Sequence, residues 1–600
     1  MADYNAPLRD MQFVINELVP LSEITALPGY EEAGEELAGA ILDEAAKFAN
    51  GVLSPLNWIG DQQGAVLNSN AVTTPKGFKE AYEQFAQAGW IGLACDPEYG
   101  GQGLPALLST AVNEMWNSAN MAFTLCPLLT AGAIDAITHH GSAEQKAMYL
   151  PNLISGKWAG TMNLTEPNAG SDLSVVATKA APAGDGTFKI SGTKIYITYG
   201  EHDFTENIIH LVLARLPDAP AGVKGISLFI VPKFLVKPDG SLGARNDLKC
   251  ISLEHKLGIH ASPTAVMSYG ESGGATGFLV GQANRGLEYM FTMMNAARLG
   301  VGLEGVGISE RAYQHAAGYA MQRVQGKIAG KSGNLPIAHH PDVSRMLMTM
   351  RAQIQAMRAL AFFAAAESDK AMRHADAAAR GAAQARLDFL IPIVKGWCTE
   401  QAVEITSLGV QVHGGMGFVE ETGAAQHFRD ARITTIYEGT TGIQANDLLG
   451  RKIVRDGGKE AKCLLEEMKA TAASLQASAD MEMKAMGAAL GSAILALDRA
   501  VEWMVETFPK NASAALAGAY PLMKCFGVVA GGWLLGKSAA IAKTKISQGA
   551  SDHFYAQKIG VATFYTHHIL SAAAGLAQSV RVGEEVITAM QHGLNDLLTQ

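Results

Sequence analysis

Charged side chains are scarce in this 600-residue chain, at 17%, and aromatic ones scarcer still, at 7%. Set against 48% hydrophobic residues, that scarcity excludes intrinsic disorder, which needs much charge and little apolar surface. Neither sign of charge dominates. With 47 basic against 57 acidic groups the net is −10, so the cationic footprint of a nucleic-acid binder is missing and no nucleic-acid partner is expected. Six cysteines (Cys95, Cys126, Cys250, Cys398, Cys463, Cys525) lie far apart and never form CxxC. They read as reduced core thiols of a cytoplasmic protein. The His-His pairs at 139–140, 339–340 and 567–568 lack the spacing of zinc ligands, so no metal is expected. The opening MADYNAPLRDMQFVINELVP mixes charge into its apolar residues, unlike a signal peptide. Met115–Ile134, the longest uncharged stretch, holds two Asn, a Ser, two Thr and a Pro, and Cys525–Gly536 is too short to cross a bilayer. Membrane contact is therefore not expected.

At roughly 100–200 residues per domain, the length allows about three to five structural units. Helical spacing of Leu and Ile runs through Ile24–Phe48 and Ser109–Ile137, so the chain to about 160 reads mostly helical. The Gly100-Gly101-Gln102-Gly103 loop between them does not match GxGxxG and follows no strand. Near 161 the texture changes. Thr187–Tyr199 (TFKISGTKIYITY) follows a hairpin-like Gly184-Asp185-Gly186, and Ile208–Leu216 and Gly225–Val236 are further β-branched runs. Helix returns at about 285 with long Met346–Ser368 and Ala371–Glu404, suited to a bundle. After Gly457-Gly458, Ile494, Leu497, Val501, Met504 and Phe508 recur at three and four until Pro509, a stripe for core or subunit packing. The expected fold class is α+β and multi-domain. Its parts are an arm over 1–35, a helical domain over 36–160, a β-barrel-like middle domain over 161–282, a helical bundle over 283–455 and an additional helical domain over 456–600.

Two segments can carry chemistry. In Gln411–Gln444 (QVHGGMGFVEETGAAQHFRDARITTIYEGTTGIQ), Gly414, Gly415 and Gly417 let something approach the backbone closely, or merely turn one helix into the next. Glu438 precedes a helix. It is either a carboxylate favoured by the helix dipole or a base at a mobile glycine junction, its pKa raised by apolar neighbours. Leu164–Asp172 (LTEPNAGSD) gathers Thr165, Ser171 and backbone N–H groups that suit a heterocycle edge or a phosphate, or form an ordinary inter-domain loop.

LTEPNAGSD, KIYIT, GIHASPT and RDARITTIYEGT, in that order over about 80–455, resemble the acyl-CoA dehydrogenase family of flavoenzymes. The opening APLRDMQFVINEL and the extra helical block resemble a long subgroup. It includes bacterial medium- and long-chain fatty acyl-CoA dehydrogenases and 3-methylmercaptopropionyl-CoA dehydrogenase. The resemblance implies FAD between the middle domain and the helical bundle. Met162, Leu164, Thr165, Ser171, Tyr196 and Thr198 would hold it on one side, with Tyr196 in place of the usual Trp. Arg323, Gln325, Gln411, Gly414, Gly415 and Thr440 would complete the cofactor contacts, those of Arg323 and of the Gln411–Gly415 turn reaching a partner subunit's FAD. Ser171, Asn295, Arg298, Tyr437 and Gly439 would meet the acyl-CoA. Glu438 becomes the catalytic base that takes the α-proton while the β-hydrogen leaves as hydride to the flavin, giving a trans-2-enoyl-CoA.

Some positions depart from the family pattern. Arg323-Val324-Gln325-Gly326 lacks the aromatic before its glycine, Gly442 replaces a Gln, Tyr199–Asp203 follows KIYIT where Asn and Gly are usual, and His260 stands at an arginine position. The expected activity is dehydrogenation of a straight-chain fatty acyl-CoA in β-oxidation, with an electron-transfer flavoprotein as acceptor. 3-Methylmercaptopropionyl-CoA dehydrogenase, acyl-CoA oxidase and a non-catalytic flavin- or CoA-binding scaffold are the alternatives. Sharing the cofactor across an interface implies an oligomer, and the extra block, by covering the second pairing surface, implies a homodimer.

Overall fold

The computed structural model describes residues 4–328, 330–585 and 587. The chain divides into two compact units. One comprises Glu44–Pro105 and Met115–Gly300, the other Met1–Asp43, Ala106–Glu114 and the chain from Val301 onward.

The first unit carries the strands: β1 (Val66–Asn68), β2 (Ala71–Thr73), β3 (Trp158–Asn163), β4 (Lys179–Pro182), β5 (Phe188–Thr198), β6 (Asn207–Arg215), β7 (Ile226–Pro232), β8 (Phe234–Val236), β9 (Leu242–Arg245), β10 (Leu248–Leu253), β11 (Thr264–Tyr269) and β12 (Ala275–Leu279). Its main sheet runs β10-β11-β5-β12-β7-β6-β3, with β4 beside β5 and β6. Every residue of β7 is buried, which is why that run reads as near-continuously apolar rather than alternating, and every residue of β3 is buried too. The expected turn is present: Ala183 N–H donates to Thr187 O at 2.9 Å, and Gly184 and Gly186 both take φ near +90°. β5 pairs β4 and β12 with its first half and β11 with its second. Against β11 it slips register, three steps from Lys194 to Ile197 facing two from Met267 to Ala265. Tyr196 absorbs the slip with φ +59°, a β-bulge. The β1–β2 hairpin lies in sequence that reads as helical. Three residues a side are too few to display alternation, and its turn depends on Ser69 taking φ +58°.

The second unit is helical. Pro341–Arg373 and Ala377–His413 are two helices, as the sequence suggests, but the second begins at 377 rather than 371; Asp376 starts it by accepting from the Ala378 N–H at 2.6 Å. The appended block supplies Lys459–Gln476, Met481–Thr507, Ala519–Ser547, His553–His568 and Ala573–Val580. Ile494, Leu497, Val501 and Met504 are fully buried, as the stripe predicts, while Phe508 at its end is half-buried. Of the cysteines, Cys463 is exposed rather than in a core. Ala106–His140 and Ala519–Ser547 are long and apolar enough to cross a membrane, yet most of each apolar window is buried in the protein. Helix extends well beyond Cys525–Gly536, past the Lys524 and Lys537 that bound that stretch.

Arg358 is enclosed at the centre of this unit. Its Nε donates to both Glu114 oxygens at 2.8 and 3.0 Å, its Nη1 to Asp10 at 2.6 Å and its Nη2 to Glu310 at 2.8 Å. Lys558 of the appended block donates to the other Asp10 oxygen at 2.5 Å. Burial pushes the Glu114 carboxyl up to about 7 against the pull of Arg358, whereas Lys558 and Arg358 overcome burial to hold Asp10 down at about 2. Arg358→Met should cost about 3–5 kcal/mol, because it strands buried carboxylates; a urea midpoint unchanged from the parent would refute this. Glu114 gains proton affinity on folding. Its contribution is therefore complete below the unfolded carboxylate pKa of 4.5 and lost as pH rises through about 7. Melting temperature followed from pH 4.5 to 7 should accordingly fall less steeply in Glu114→Gln than in the parent.

Candidate active site

In the sheet-bearing unit, the Leu164–Asp172 loop is fastened to the bulge of β5. Ile195 N–H donates to Thr165 O at 2.9 Å and Lys194 Nζ to Leu164 O at 3.0 Å. Pro167 sits in a tight turn closed by reciprocal Glu166–Ala169 backbone bonds of 3.0 Å. Glu166 itself points inward. It accepts from Lys194 Nζ at 2.8 Å, from the Thr178 hydroxyl at 2.6 Å and from the N–H groups of Ala177 (2.7 Å) and Thr178 (3.1 Å). Burial pulls the Lys194 ammonium down to about 8 while Glu166 resists; burial raises Glu166, but Lys194 and the hydrogen bonds bring it below the usual carboxylate range. The loop thus delivers half-buried Leu164 and Thr165 beside Tyr196, whose ring is 60% exposed, and half-buried Thr198, with Met162 buried on β3 and Ser171 exposed at the loop's end. An exposed aromatic face beside two hydroxyls fits a flat heterocycle with a polar edge. Asn295 and Arg298, three apart on the Gly286–Gln322 helix and so on one face, belong to this unit; Arg298 is buried.

The remaining predicted residues belong to the helical unit. Arg323, Gln325, Gln411, Gly414 and Gly415 are all exposed, and a Cβ added at either glycine would meet nothing within 4 Å. The same turn leaves Phe418 87% exposed and Met416 49%. Open backbone beside uncovered apolar side chains fits a surface completed from outside the chain.

Glu438 is half-buried, with φ +54°, in the left-handed region that a non-glycine residue adopts at a cost of order 1–3 kcal/mol. Its peptide is held from behind. Lys395 Nζ, completely buried, donates to Gly439 O at 2.7 Å, and Gln444 Nε2 donates to Glu438 O at 3.1 Å and Gly439 O at 3.3 Å. Thr440 caps the Thr441–Asp447 helix by accepting from the Ile443 N–H at 3.3 Å, and Thr441 donates to Glu400 at 2.6 Å. Tyr437 donates a very short hydrogen bond to Glu304, whose carboxyl burial pushes up to about 8, with Glu438 adding to the rise. At Gly442, which stands where a Gln is usual in the family, a Cβ would meet only Thr440 Oγ1, at 3.9 Å. Among the described residues, no group of three or more His, Cys, Asp or Glu is arranged to hold a metal ion.

Sequence reasoning assigned no role to Glu166, Lys194, Glu304, Lys395 or Gln444. Glu166 and Lys194 lie inside the quoted motifs LTEPNAGSD and KIYIT, which was the available signal. Nothing local marks Lys395, whose partner is 44 residues away.

Models of the acyl-CoA dehydrogenase N-terminal, middle and C-terminal domains match residues 38–157, 161–287 and 284–453, and a model described as acetyl-CoA dehydrogenase C-terminal like matches 464–591. The chain belongs to the acyl-CoA dehydrogenase family. It is a flavin-dependent oxidoreductase that dehydrogenates acyl-CoA, with FAD as cofactor. It is 49% identical to the 3-methylmercaptopropionyl-CoA dehydrogenase of Ruegeria pomeroyi, over 98% of this chain and 99% of that one. It is 33% identical to a butyryl-CoA dehydrogenase of Syntrophomonas wolfei over 97% of each. The structure of Caenorhabditis elegans ACDH-11 in complex with C11-CoA superposes with TM-score 0.78 at 19% identity, covering all of this chain and 97% of that one, a likeness of fold.

Lys194→Met should strand the buried Glu166 carboxylate, lower stability by about 3–5 kcal/mol and release FAD from the purified protein. A flavin-to-protein absorbance ratio equal to the parent's would contradict this.

Proposed function

We propose that Glu438 is the base that removes the α-proton of the acyl-CoA and that the preferred thioester is 3-methylmercaptopropionyl-CoA. The first half rests on the geometry of one residue: a carboxylate in a left-handed conformation, with its own carbonyl and the next one tied to Gln444 and Lys395. Hydrogens next to a thioester are too weakly acidic for an unaided carboxylate. The chain must therefore fix the base, exclude water and offer a donor to the carbonyl where enolate-like charge develops, a donor of this kind being worth about 10²–10³ in rate. The tethered peptide meets the first demand, and the resemblance gives the third to the Glu438 backbone N–H. FAD, when bound, supplies the hydride acceptor for the β-hydrogen. Met162, Leu164, Thr165, Ser171, Tyr196 and Thr198 would hold it from the sheet-bearing unit. Arg323, Gln325, Gln411, Gly414, Gly415 and Thr440 would hold it from the helical one, the Arg323 and Gln411–Gly415 contacts being made to the partner's cofactor in a homodimer. Asn295, Arg298, Tyr437 and Gly439, with Ser171, would contact the thioester.

The second half turns on relatedness. Identity of 49% over nearly the whole length to a 3-methylmercaptopropionyl-CoA dehydrogenase, against 33% to a butyryl-CoA dehydrogenase, favours the sulfur-containing thioester over the straight-chain fatty acyl-CoA that motifs alone suggested. Loss of one α- and one β-hydrogen from that thioester leaves a double bond between the carbonyl and the sulfur, conjugated with both. An electron-transfer flavoprotein in the cytoplasm would receive the electrons.

Glu438→Gln should keep FAD and lower kcat by about 10²–10⁴; an unchanged rate of flavin bleaching by acyl-CoA defeats the assignment. In an acceptor-dye assay, kcat/KM should be highest for 3-methylmercaptopropionyl-CoA among that thioester and butyryl-, octanoyl- and palmitoyl-CoA. With one methylene worth about 1–3 kcal/mol in a fitted pocket, the margin over octanoyl-CoA should exceed tenfold, roughly. A preference for octanoyl- or palmitoyl-CoA restores the fatty-acid reading, and peroxide production without added acceptor would point to an oxidase. Sedimentation should give the mass of two chains; four would reject the homodimer.

A further inference from the structure

The block after residue 456 has no role in the chemistry outlined above, yet one of its helices lies directly behind the base loop. A Cβ built on Gly396, the neighbour of Lys395, would overlap Met523 Sδ, lie 2.7 Å from Met523 Cε and stand 3.4 Å from Gln444 Cβ. The Met523 thioether therefore fills the notch between the segments that carry Lys395 and Gln444, the two side chains that hold the Glu438–Gly439 carbonyls. Met523 is fully buried. The fit is reciprocal one turn along, where Trp397 closes over Gly527 so tightly that a Cβ there would overlap its ring. On the same face Lys524 Nζ donates to Glu404 at 2.8 Å and the Tyr520 hydroxyl to Glu400 at 3.4 Å. Glu400 in turn accepts from Thr441 at 2.6 Å. Residues 520, 523, 524 and 527 follow the three- and four-residue spacing of one helix face, as do 397, 400 and 404 opposite.

We propose that the appended helical block is a positioning element for the catalytic base, with Met523 as its key: seated against Gly396, it wedges Lys395 and Gln444 into the geometry that keeps Glu438 in its left-handed conformation. A thioether is flexible and polarisable enough to fill such an irregular gap, and leucine is its nearest substitute. The proposal rests on Glu438 being the base.

The test uses the FAD-loaded, full-length enzyme with 3-methylmercaptopropionyl-CoA and an acceptor dye, well below the melting transition. Met523→Ala should lower kcat about tenfold or more, since small misplacements of a catalytic group are costly, with thioester affinity and FAD content unchanged. It should also speed amide hydrogen exchange in the 436–441 segment. Met523→Leu should restore most of the rate. Leu497→Ala, an equally buried truncation in the same block but on the Met481–Thr507 helix, should lose stability without losing kcat. If Met523→Ala keeps the parental kcat and exchange, or if Leu497→Ala lowers kcat as much, the block is only packing and the proposal is wrong. An active Glu438→Gln enzyme would instead overturn the base assignment itself, whatever the Met523 variants do.

Discussion

The helical unit depends on one buried guanidinium. Desolvating Arg358 is expensive, and the chain offsets that cost with carboxylates from three separate segments: the N-terminal arm (Asp10), the start of the Ala106–His140 helix (Glu114) and the Gly286–Gln322 helix (Glu310). Lys558 then draws the appended block into the same cluster through Asp10. Three acids facing two bases leave one negative charge in excess. A proton retained on Glu114, whose carboxyl burial lifts to about 7, removes that excess. Such a cluster specifies which segments must meet more than it adds stability. It explains why the arm at the start and the helices at the end of the sequence belong to one compact unit.

In each unit the candidate residues include a non-glycine residue in a left-handed backbone conformation, Tyr196 at φ +59° and Glu438 at φ +54°. Near each strained residue a buried lysine donates to a backbone carbonyl of the adjoining loop, Lys194 also pairing with Glu166. Lys194 serves Leu164 and Lys395 serves Gly439. A charged lysine head that donates to a loop carbonyl in a dry interior is a strong and directional tether, because losing the bond would leave a desolvated donor unpaired. Strain of this kind persists only where the surroundings over-determine it, which is the condition that the proposed base and aromatic wall require.

Much of this was legible beforehand, and the boundary of legibility is physical. Motifs such as LTEPNAGSD and RDARITTIYEGT draw attention to Thr165 and Glu438 because each candidate sits in a run that is local in sequence and chemically distinctive. The turn at Gly184–Gly186 and the stripe from Ile494 to Met504 were readable for a related reason: their geometry depends on neighbours three or four positions away. What escaped depends on distance along the chain. Lys395 gains its meaning only when folding places it under Gly439, and Glu304 only when it meets Tyr437, 133 residues later. The β1–β2 hairpin escaped, and the break before Ala377 reads a few residues early, for the opposite reason: both are too short to imprint any periodicity on their surroundings.

Ala519–Ser547 shows how composition misleads when enclosure is unknown. A helix apolar on every face must be surrounded, either by lipid or by protein. Here the small residues decide which. Gly527 receives Trp397, and a Cβ would come within 2.5 Å of the Tyr565 hydroxyl at Gly531 and within 2.9 Å of Leu570 at Gly532, so three side chains press on the helix backbone itself. Approach that close leaves no room for lipid on those faces, and it fixes the helix along its axis as well as around it. An element fixed in that way transmits position. Its apolar surface serves the protein's own interior, and the face bearing Met523 is held to the Ala377–His413 helix, which carries Lys395, with little freedom to slide.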